Sequence, residues 1–590
     1  MKAFLSVVFL LTTLTGTQAV AASAEDVRFE ELAARFVDGF PVLSPVSATT
    51  LGDHRFDDRL DDISAAGRAA ERAFLQDTLQ ALSDIDRSEL SRANQIDAAM
   101  LANQLEYSLW SLDQLQEWAW NPLQYTQLAG GAVYSLMARD FAPLEERLDD
   151  LAGRLEAMPA FLAEVRATLQ PARVPRVHAE TAAQQNRGVL SILDDMVVPQ
   201  LANVAPALKT RLEGAMAATR EAVETHQAWL EEDLVPAAEG EFRLGAELFD
   251  RKLAYTLDSS LSRREIRERA QAEFQRVRDE MYQVALEVYR GKYPMVKVPE
   301  SPAPEFRQAV IRAALEEVYR HLPGRDEIVE VARRQLAQTT EFVREKNLVE
   351  VPDDPIEIII MPEFQRGVAV AYCDPPGPLD KGQKTFYAVA PLPEEWTDIQ
   401  VESFLREYNL YSIQDLTIHE AMPGHYLQLA HSNRYPSVLR SVLWSGPFVE
   451  GWAVYAERVM IDNGYLDFDP LMRLTNLKWY LRAVTNAIID QAIHVDGMDR
   501  EAAMELMVEG GFQEEREAAG KWIRAQLTSA QLSTYFVGYQ EHADLREEVE
   551  RSWGEDFTLR RYHDTVLSFG SPPVRHVRSM ILGTPVVASP

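Results

Sequence analysis

From about Glu25 to Val349 apolar residues return every three or four positions, as in E-E-L-A-A-R-F-V-D-G-F from Glu30 and L-E-E-R-L-D-D-L-A-G-R-L from Leu144. That spacing lines one side of a helix with apolar side chains and predicts a long run of amphipathic helices. The run contains no fixed-period repeat, low-complexity tract or Gly/Ser linker, so it reads as a bundle rather than a solenoid. The pattern changes at Val351. P-D-D-P-I-E-I-I-I-M-P, G-V-A-V-A-Y-C-D-P-P-G-P-L-D and T-F-Y-A-V-A-P-L-P are short β-branched and aromatic runs cut by Pro and Gly, the signature of a small sheet. Helical periodicity returns near Asp398. The expected fold is therefore mainly α: an N-terminal helical region over residues 23–350, a small β-rich element over 351–397 and a C-terminal helical region over 398–590.

Composition narrows the class. A chain of 590 residues buries enough apolar surface to fold without staples and in more than one packed subregion. The balance of 59 basic against 91 acidic residues gives a net charge of −32, which disfavours nucleic acid and anionic membrane surfaces as partners. Residues 1–22 form a separate module, with Lys2, an apolar run from Phe4 to Leu14 and small residues around Ala19 and Ala21, and read as a signal peptide cleaved near residues 19–22. No later stretch approaches the roughly 18 apolar residues of a membrane span, so no anchor is expected after cleavage. A single cysteine, Cys373, excludes an internal disulfide and suits a small buried residue better than a nucleophile. An exported, periplasmic protein follows from these features.

The densest chemistry lies in I-H-E-A-M-P-G-H-Y-L-Q-L-A from Ile418 and E-G-W-A-V-Y-A-E from Glu450. In the ordinary H-E-x-x-H zinc helix the histidines sit four residues apart, about 40° around the axis, and face one ion. Here His419 and His425 are six apart, about 240° on an unbroken helix. Pro423 lacks an N–H to return to the His419 carbonyl, and Gly424 adds backbone freedom, so the pair is expected to make a widened turn that swings His425 back beside His419. Glu450 would complete a His₂Glu set for one zinc ion with one position open to water, and Glu420 would serve as general base. Glu457, on the Glu450 face of the second helix, is either an acceptor orienting a ligating imidazole or a solvated carboxylate.

Two further segments carry candidates. Lys478, Arg482, Asn486, Asp490 and His494 recur at every fourth position in an otherwise apolar helix, a stripe that either lines a cavity or faces solvent. In the cavity reading Asp490 orients His494, which hydrogen-bonds substrate or the oxyanion. Tyr535, in S-A-Q-L-S-T-Y-F-V-G-Y-Q-E, offers a phenolic O–H to the same developing charge, although tyrosine is also common in cores.

H-E-A-M-P-G-H-Y-L-Q, E-G-W-A-V-Y-A-E, R-A-V-T-N-A-I-I-D-Q-A-I-H and the early A-T-T-L-G-D-H-R-F-D-D-R-L-D-D together resemble the bacterial family named domain of unknown function 885, over nearly all of the mature chain. That family is similar to gluzincin-type zinc peptidases such as the thimet-oligopeptidase, carboxypeptidase Taq and angiotensin-converting enzyme groups. The resemblance implies a two-lobed, largely helical fold with a deep channel, His419, His425 and Glu450 on zinc, and Glu420 in catalysis. The leading expectation is a periplasmic zinc-dependent peptidase acting on short peptides, with the small sheet offering an edge to an extended substrate. The alternative is a non-catalytic helical binding protein with a degenerate zinc motif, which the six-residue spacing favours. A dinuclear carboxylate oxidoreductase ranks last, because the paired Glu-x-x-His motifs it needs are missing.

Overall fold

Helices dominate the computed structural model, which describes residues 23–361, 371–394 and 396–587. The expected signal peptide and the G-V-A-V run at 367–370 lie outside the described residues. Numbering only the elements needed below, the N-terminal part contains α1 (Ala24–Leu43), α2 (Pro45–Leu51), α3 (Leu123–Met137), α4 (Leu144–Thr168) and α5 (Pro206–Trp229). α1 starts where the Ser23 hydroxyl accepts the Asp26 N–H and the Asp26 carboxylate accepts the Ser23 N–H, satisfying two donors that a helix start leaves unpaired. The apolar stripes of α3, α4 and α5 meet in one core through Val133, Leu136, Leu148, Leu155, Leu212 and Met216.

The next helices turn towards the C-terminal part. α6 (Arg263–Lys292), α7 (Pro304–Val318) and α8 (Ile328–Lys346) precede the sheet of β1 (Ile356–Ile360), β2 (Ala371–Asp374) and β3 (Thr385–Val389). Then come α9 (Leu410–Glu420), α10 (His425–Ser432), α11 (Gly446–Asp462), α12 (Pro470–His494), α13 (Glu515–Leu527) and α14 (Ser533–Trp553). The cores cross residue 350. Val277 and Met281 of α6 and Ile311 and Leu315 of α7 pack with Leu477, Leu481 and Val484 of α12 and Phe536 of α14. Val331 and Val343 of α8 join Ile358, Tyr387, Ile418, Leu427 and Trp452.

The chain is mainly α with one small sheet, as its periodicity indicates. β3 is central, parallel to β1 and antiparallel to β2, with Cys373 opposite Tyr387. Tyr387, Ala388 and Val389 are all buried, which explains the unbroken apolar run of that strand. Among the described residues β2 is an edge strand, and it lies against α9. Among the described residues no helix is long and apolar enough to cross a membrane.

Candidate metal centre

α9 stops at Glu420 and α10 restarts at His425, and the four residues between them do what the Pro-Gly pair suggests. Pro423, preceded by a cis peptide bond, cannot donate to the His419 carbonyl. Instead the Gly424 N–H reaches the Ile418 carbonyl at 2.9 Å, and the Leu427 N–H reaches Ala421 at 3.3 Å, both longer steps than the four-residue return of an α-helix. Glycine is required at 424: a Cβ there would stand 1.9 Å from the His419 carbonyl oxygen. The buried indole of Trp452 donates to the Pro423 carbonyl at 2.9 Å, so α11 fastens the turn from the side.

The widened turn brings the two imidazoles together. The rings of His419 and His425 lie 4.7 Å apart at 85°, and Glu450 Oε2 is 3.7 Å from His419 Nε2 and 3.4 Å from His425 Nε2. Three ligand atoms, one from each residue, lie within 4.8 Å of one another. Four donors around zinc at about 2.1 Å are separated by about 3.4 Å along the edges of the tetrahedron, so the two measured separations fit a common cation. The donor set fits as well: Glu450 Oε2, the atom that faces both imidazoles, is buried without a hydrogen bond. Burial alone would raise the Glu450 carboxyl, but its contacts with His419 and His425 hold it well below the usual range. It stays anionic.

His419 is oriented from behind. Its Nδ1 lies 2.6 Å from Glu457 Oε1, which leaves Nε2 for the Glu450 side. Glu457, 3 % exposed, is no solvated carboxylate. Its other oxygen accepts from Asn476 of α12 at 3.4 Å, and the same amide contacts Asp415, one helical turn before His419. Burial, reinforced by the charge of Glu457, pushes the Asp415 carboxyl well above its ordinary range. Glu420, beside His419 but not among the clustered ligand atoms, accepts the Cys373 backbone N–H of β2 at 3.0 Å, and burial raises its carboxyl. The Cys373 thiol is pushed well above its usual value, chiefly by burial and then by Glu420, which removes it as a nucleophile.

α14 supplies Tyr535. It meets α11 at a point where two glycines touch: a Cβ on Gly451 would lie 2.2 Å from the Gly538 carbonyl carbon. Tyr535 is one turn before Gly538 and Glu450 is next to Gly451, so the same crossing brings the phenol into the field of the Glu450 carboxylate. The Tyr535 hydroxyl accepts from Arg524 of α13 at 3.1 Å.

Asp490 and His494 share no hydrogen bond, although each lies in the field of the other. Asp490 accepts from the Ala530 N–H at 3.0 Å, the Ser533 N–H at 3.0 Å and the Ser533 hydroxyl at 2.8 Å, so it anchors the start of α14. His494 points Nε2 at the Ala525 and Thr528 carbonyls, both at 2.8 Å, stacks on Phe249 and is 2 % exposed. It secures the end of α13 through Nε2, while its Nδ1 is buried without a hydrogen-bond partner. The stripe containing them is neither a solvent face nor an open lining: Lys478 pairs with Glu407 and Arg482 with Glu517. Asp415, Asn476, Trp452 and Arg524 escape sequence reasoning. Asp415 alone left a signal, its four-residue spacing from His419.

A mainly α protein carrying a buried His₂Glu cluster at a broken helix is the class these features define. Over residues 45–581 the chain matches the family model described as bacterial protein of unknown function (DUF885), and it belongs to that family. Among solved structures it is similar to a "putative lipoprotein of unknown function" from Shewanella oneidensis, at 34% identity and a TM-score of 0.79 over 94% of this chain and 99% of that one. It also shares the fold of a "putative lipoprotein" from Colwellia psychrerythraea, at 18% identity and a TM-score of 0.77 over the same shares. No curated protein matches.

Proposed function

We propose that the protein is a zinc-dependent peptidase of the gluzincin type that hydrolyses short peptides after export to the periplasm. The observation that carries this reading is the convergence of His419, His425 and Glu450 on one point with an unligated carboxylate, Glu420, beside it. His419, His425 and Glu450 would hold one Zn²⁺, leaving a position open, and Glu457 would fix the His419 tautomer. Zinc, when bound, supplies Lewis acidity that activates water and polarises a carbonyl. Glu420 takes the proton from the attacking water and returns it to the leaving amine, a role that its raised affinity for protons favours. Tyr535 donates its hydroxyl hydrogen to the oxygen on which charge develops, and Arg524, donating to the same hydroxyl, makes it a stronger donor. β2, an edge strand whose Cys373 N–H already meets Glu420, sets an extended substrate backbone alongside the base. Export is supported by the N-terminal pattern of residues 1–22 and by the lipoprotein descriptions of both structural relatives.

Metal analysis and turnover test the reading together. Protein purified without chelator is expected to carry near-stoichiometric zinc, and His419→Ala to lose it. Glu420→Gln should keep the metal while peptide hydrolysis falls by roughly 10²–10⁴-fold. Unchanged turnover in Glu420→Gln removes the base, and absence of zinc from wild type leaves a helical binding protein instead.

A further inference from the structure

Behind Tyr535 lies a group of cations with too little negative charge to balance it. Lys521 and Arg524 stand three residues apart on α13 and so share a face. Lys521 is 5 % exposed, and among the described residues its ammonium makes no hydrogen bond and no ion pair. Arg524 donates only to neutral oxygens, those of Gln531 at 3.0 Å and Tyr535 at 3.1 Å. Arg482 of α12 reaches towards them, paired with Glu517, but its second terminal nitrogen is buried with no partner. Glu517 pairs with Arg482, lies in the field of Lys521 and also accepts from Tyr408. The nearby Glu407 is committed to Lys478 at 2.7 Å.

Burying an ammonium without a counter-ion is among the costlier arrangements in a protein interior, and such groups are kept where a charge is needed. Burial, with Arg482 and Arg524 adding to it, drives the Lys521 ammonium well below its usual value, and the charge of Glu517 opposes that shift. Position gives the anion a meaning. The Arg524 guanidinium touches the Tyr535 hydroxyl, and Tyr535 sits in the field of Glu450, so the cations lie one side chain behind the metal centre.

We propose that Lys521, Arg524 and Arg482 form a subsite for a carboxylate of the peptide substrate, placed to hold the chain while its carbonyl lies against Tyr535. This rests on the peptidase reading for its substrate but not for its binding chemistry. Two sources offer that carboxylate, a free C-terminus and an acidic side chain.

The test uses three otherwise identical short peptides: one with a free C-terminus, one amidated, and one amidated with a glutamate near its end. Zinc-loaded wild-type protein is expected to favour at least one of the carboxylate peptides over the plain amide by about tenfold to a hundredfold in kcat/KM, the usual range for a charge-assisted contact. Preference for the first peptide identifies the C-terminus, and preference for the third identifies the side chain. Lys521→Met and Arg524→Met should each bring the ratio towards one, and Lys521→Met should melt no lower than wild type, since it removes a buried amine that has no hydrogen-bond partner. The same peptides titrated calorimetrically into metal-stripped protein give a readout free of catalysis. Equal cleavage of all three, still abolished by Glu420→Gln, overturns the subsite and leaves the peptidase standing. No cleavage, with carboxylate peptides bound selectively by wild type and not by Lys521→Met, overturns the peptidase and upholds the subsite. Absence of selectivity in both measurements overturns the subsite outright.

Discussion

Glu457 decides how His419 presents itself. A neutral imidazole has one donor and one acceptor nitrogen, and a carboxylate 2.6 Å from Nδ1 makes that nitrogen the donor, so the lone pair of Nε2 faces His425 and Glu450. Glu457→Gln keeps the shape and a weaker acceptor, and is expected to reduce zinc affinity about 10- to 100-fold, as such partners typically do. A competition titration against a chelator measures it; unaltered affinity means Glu457 serves only the buried network with Asn476 and Asp415. The residue scale is also where the sequence is read best and worst. His419, His425 and Glu450 are legible because Pro423 and Gly424 have only a few backbone uses, and a helix interior is not among them. The hydrogen-bond partners of Asp490 and His494 are not legible, because four-residue spacing says that two side chains share a face and nothing about what lies opposite. Here the opposite surface is the Ala525–Ser533 backbone, whose free N–H and C=O groups claim both residues.

At the scale of elements, the crossing of α11 and α14 governs the distance between Glu450 and Tyr535. Gly538 is compulsory there: a Cβ would meet the Pro447 carbonyl oxygen at 2.0 Å and the Gly451 Cα at 2.8 Å, all backbone that cannot step aside. Gly538→Ala must therefore push the helices apart, with an expected loss of about 1–3 kcal/mol of stability. The contrasting substitution is Gly520→Ala in α13, where a new Cβ meets nothing within 4 Å and helix propensity should add about 0.5–1 kcal/mol. Denaturant melts of the two variants check both signs, and a neutral Gly538→Ala would mean the crossing is looser than drawn. The helices themselves are evident from periodicity. Their pairing is not, because a glycine inside an amphipathic helix signals close approach without naming the partner. The same limit applies to Arg524 and Lys521, which look like surface charges until α12 and α14 are packed over them.

For the whole molecule, buried histidines and buried carboxyls tilt stability with pH in opposite senses. His178, His226, His542 and His563 are buried, and desolvation lowers each to about 4. Between pH 4 and the ordinary value of about 6.5 these four bind more protons in the unfolded chain and so add stability as pH rises, against Asp61 and Glu541, whose carboxyls burial raises to about 6 and about 7. His54 works in the opposite sense to the four histidines. It sits at the end of the early A-T-T-L-G-D-H motif, stacks on Phe141, and places Nδ1 2.8 Å from Asp57 and Nε2 3.2 Å from Asp380, with Asp53 adding to the field. Burial alone would lower His54, but hydrogen bonding to Asp380 and Asp57 overrides it and raises the ring from 6.5 to about 9. Its stabilising charge is fully present below 6.5 and lost as pH climbs through 9. Asp380 belongs to the loop after β2, and the Leu379 N–H donates to the Leu51 carbonyl at 3.0 Å, so protonated His54 clasps the end of α2 to the strand that holds Glu420. Wild-type melting temperature is thus expected to decline from pH 6.5 to 9, with His54→Asn flattening that alkaline limb. An alkaline limb that is equally steep in His54→Asn would locate the titrating group elsewhere and dissolve the clasp.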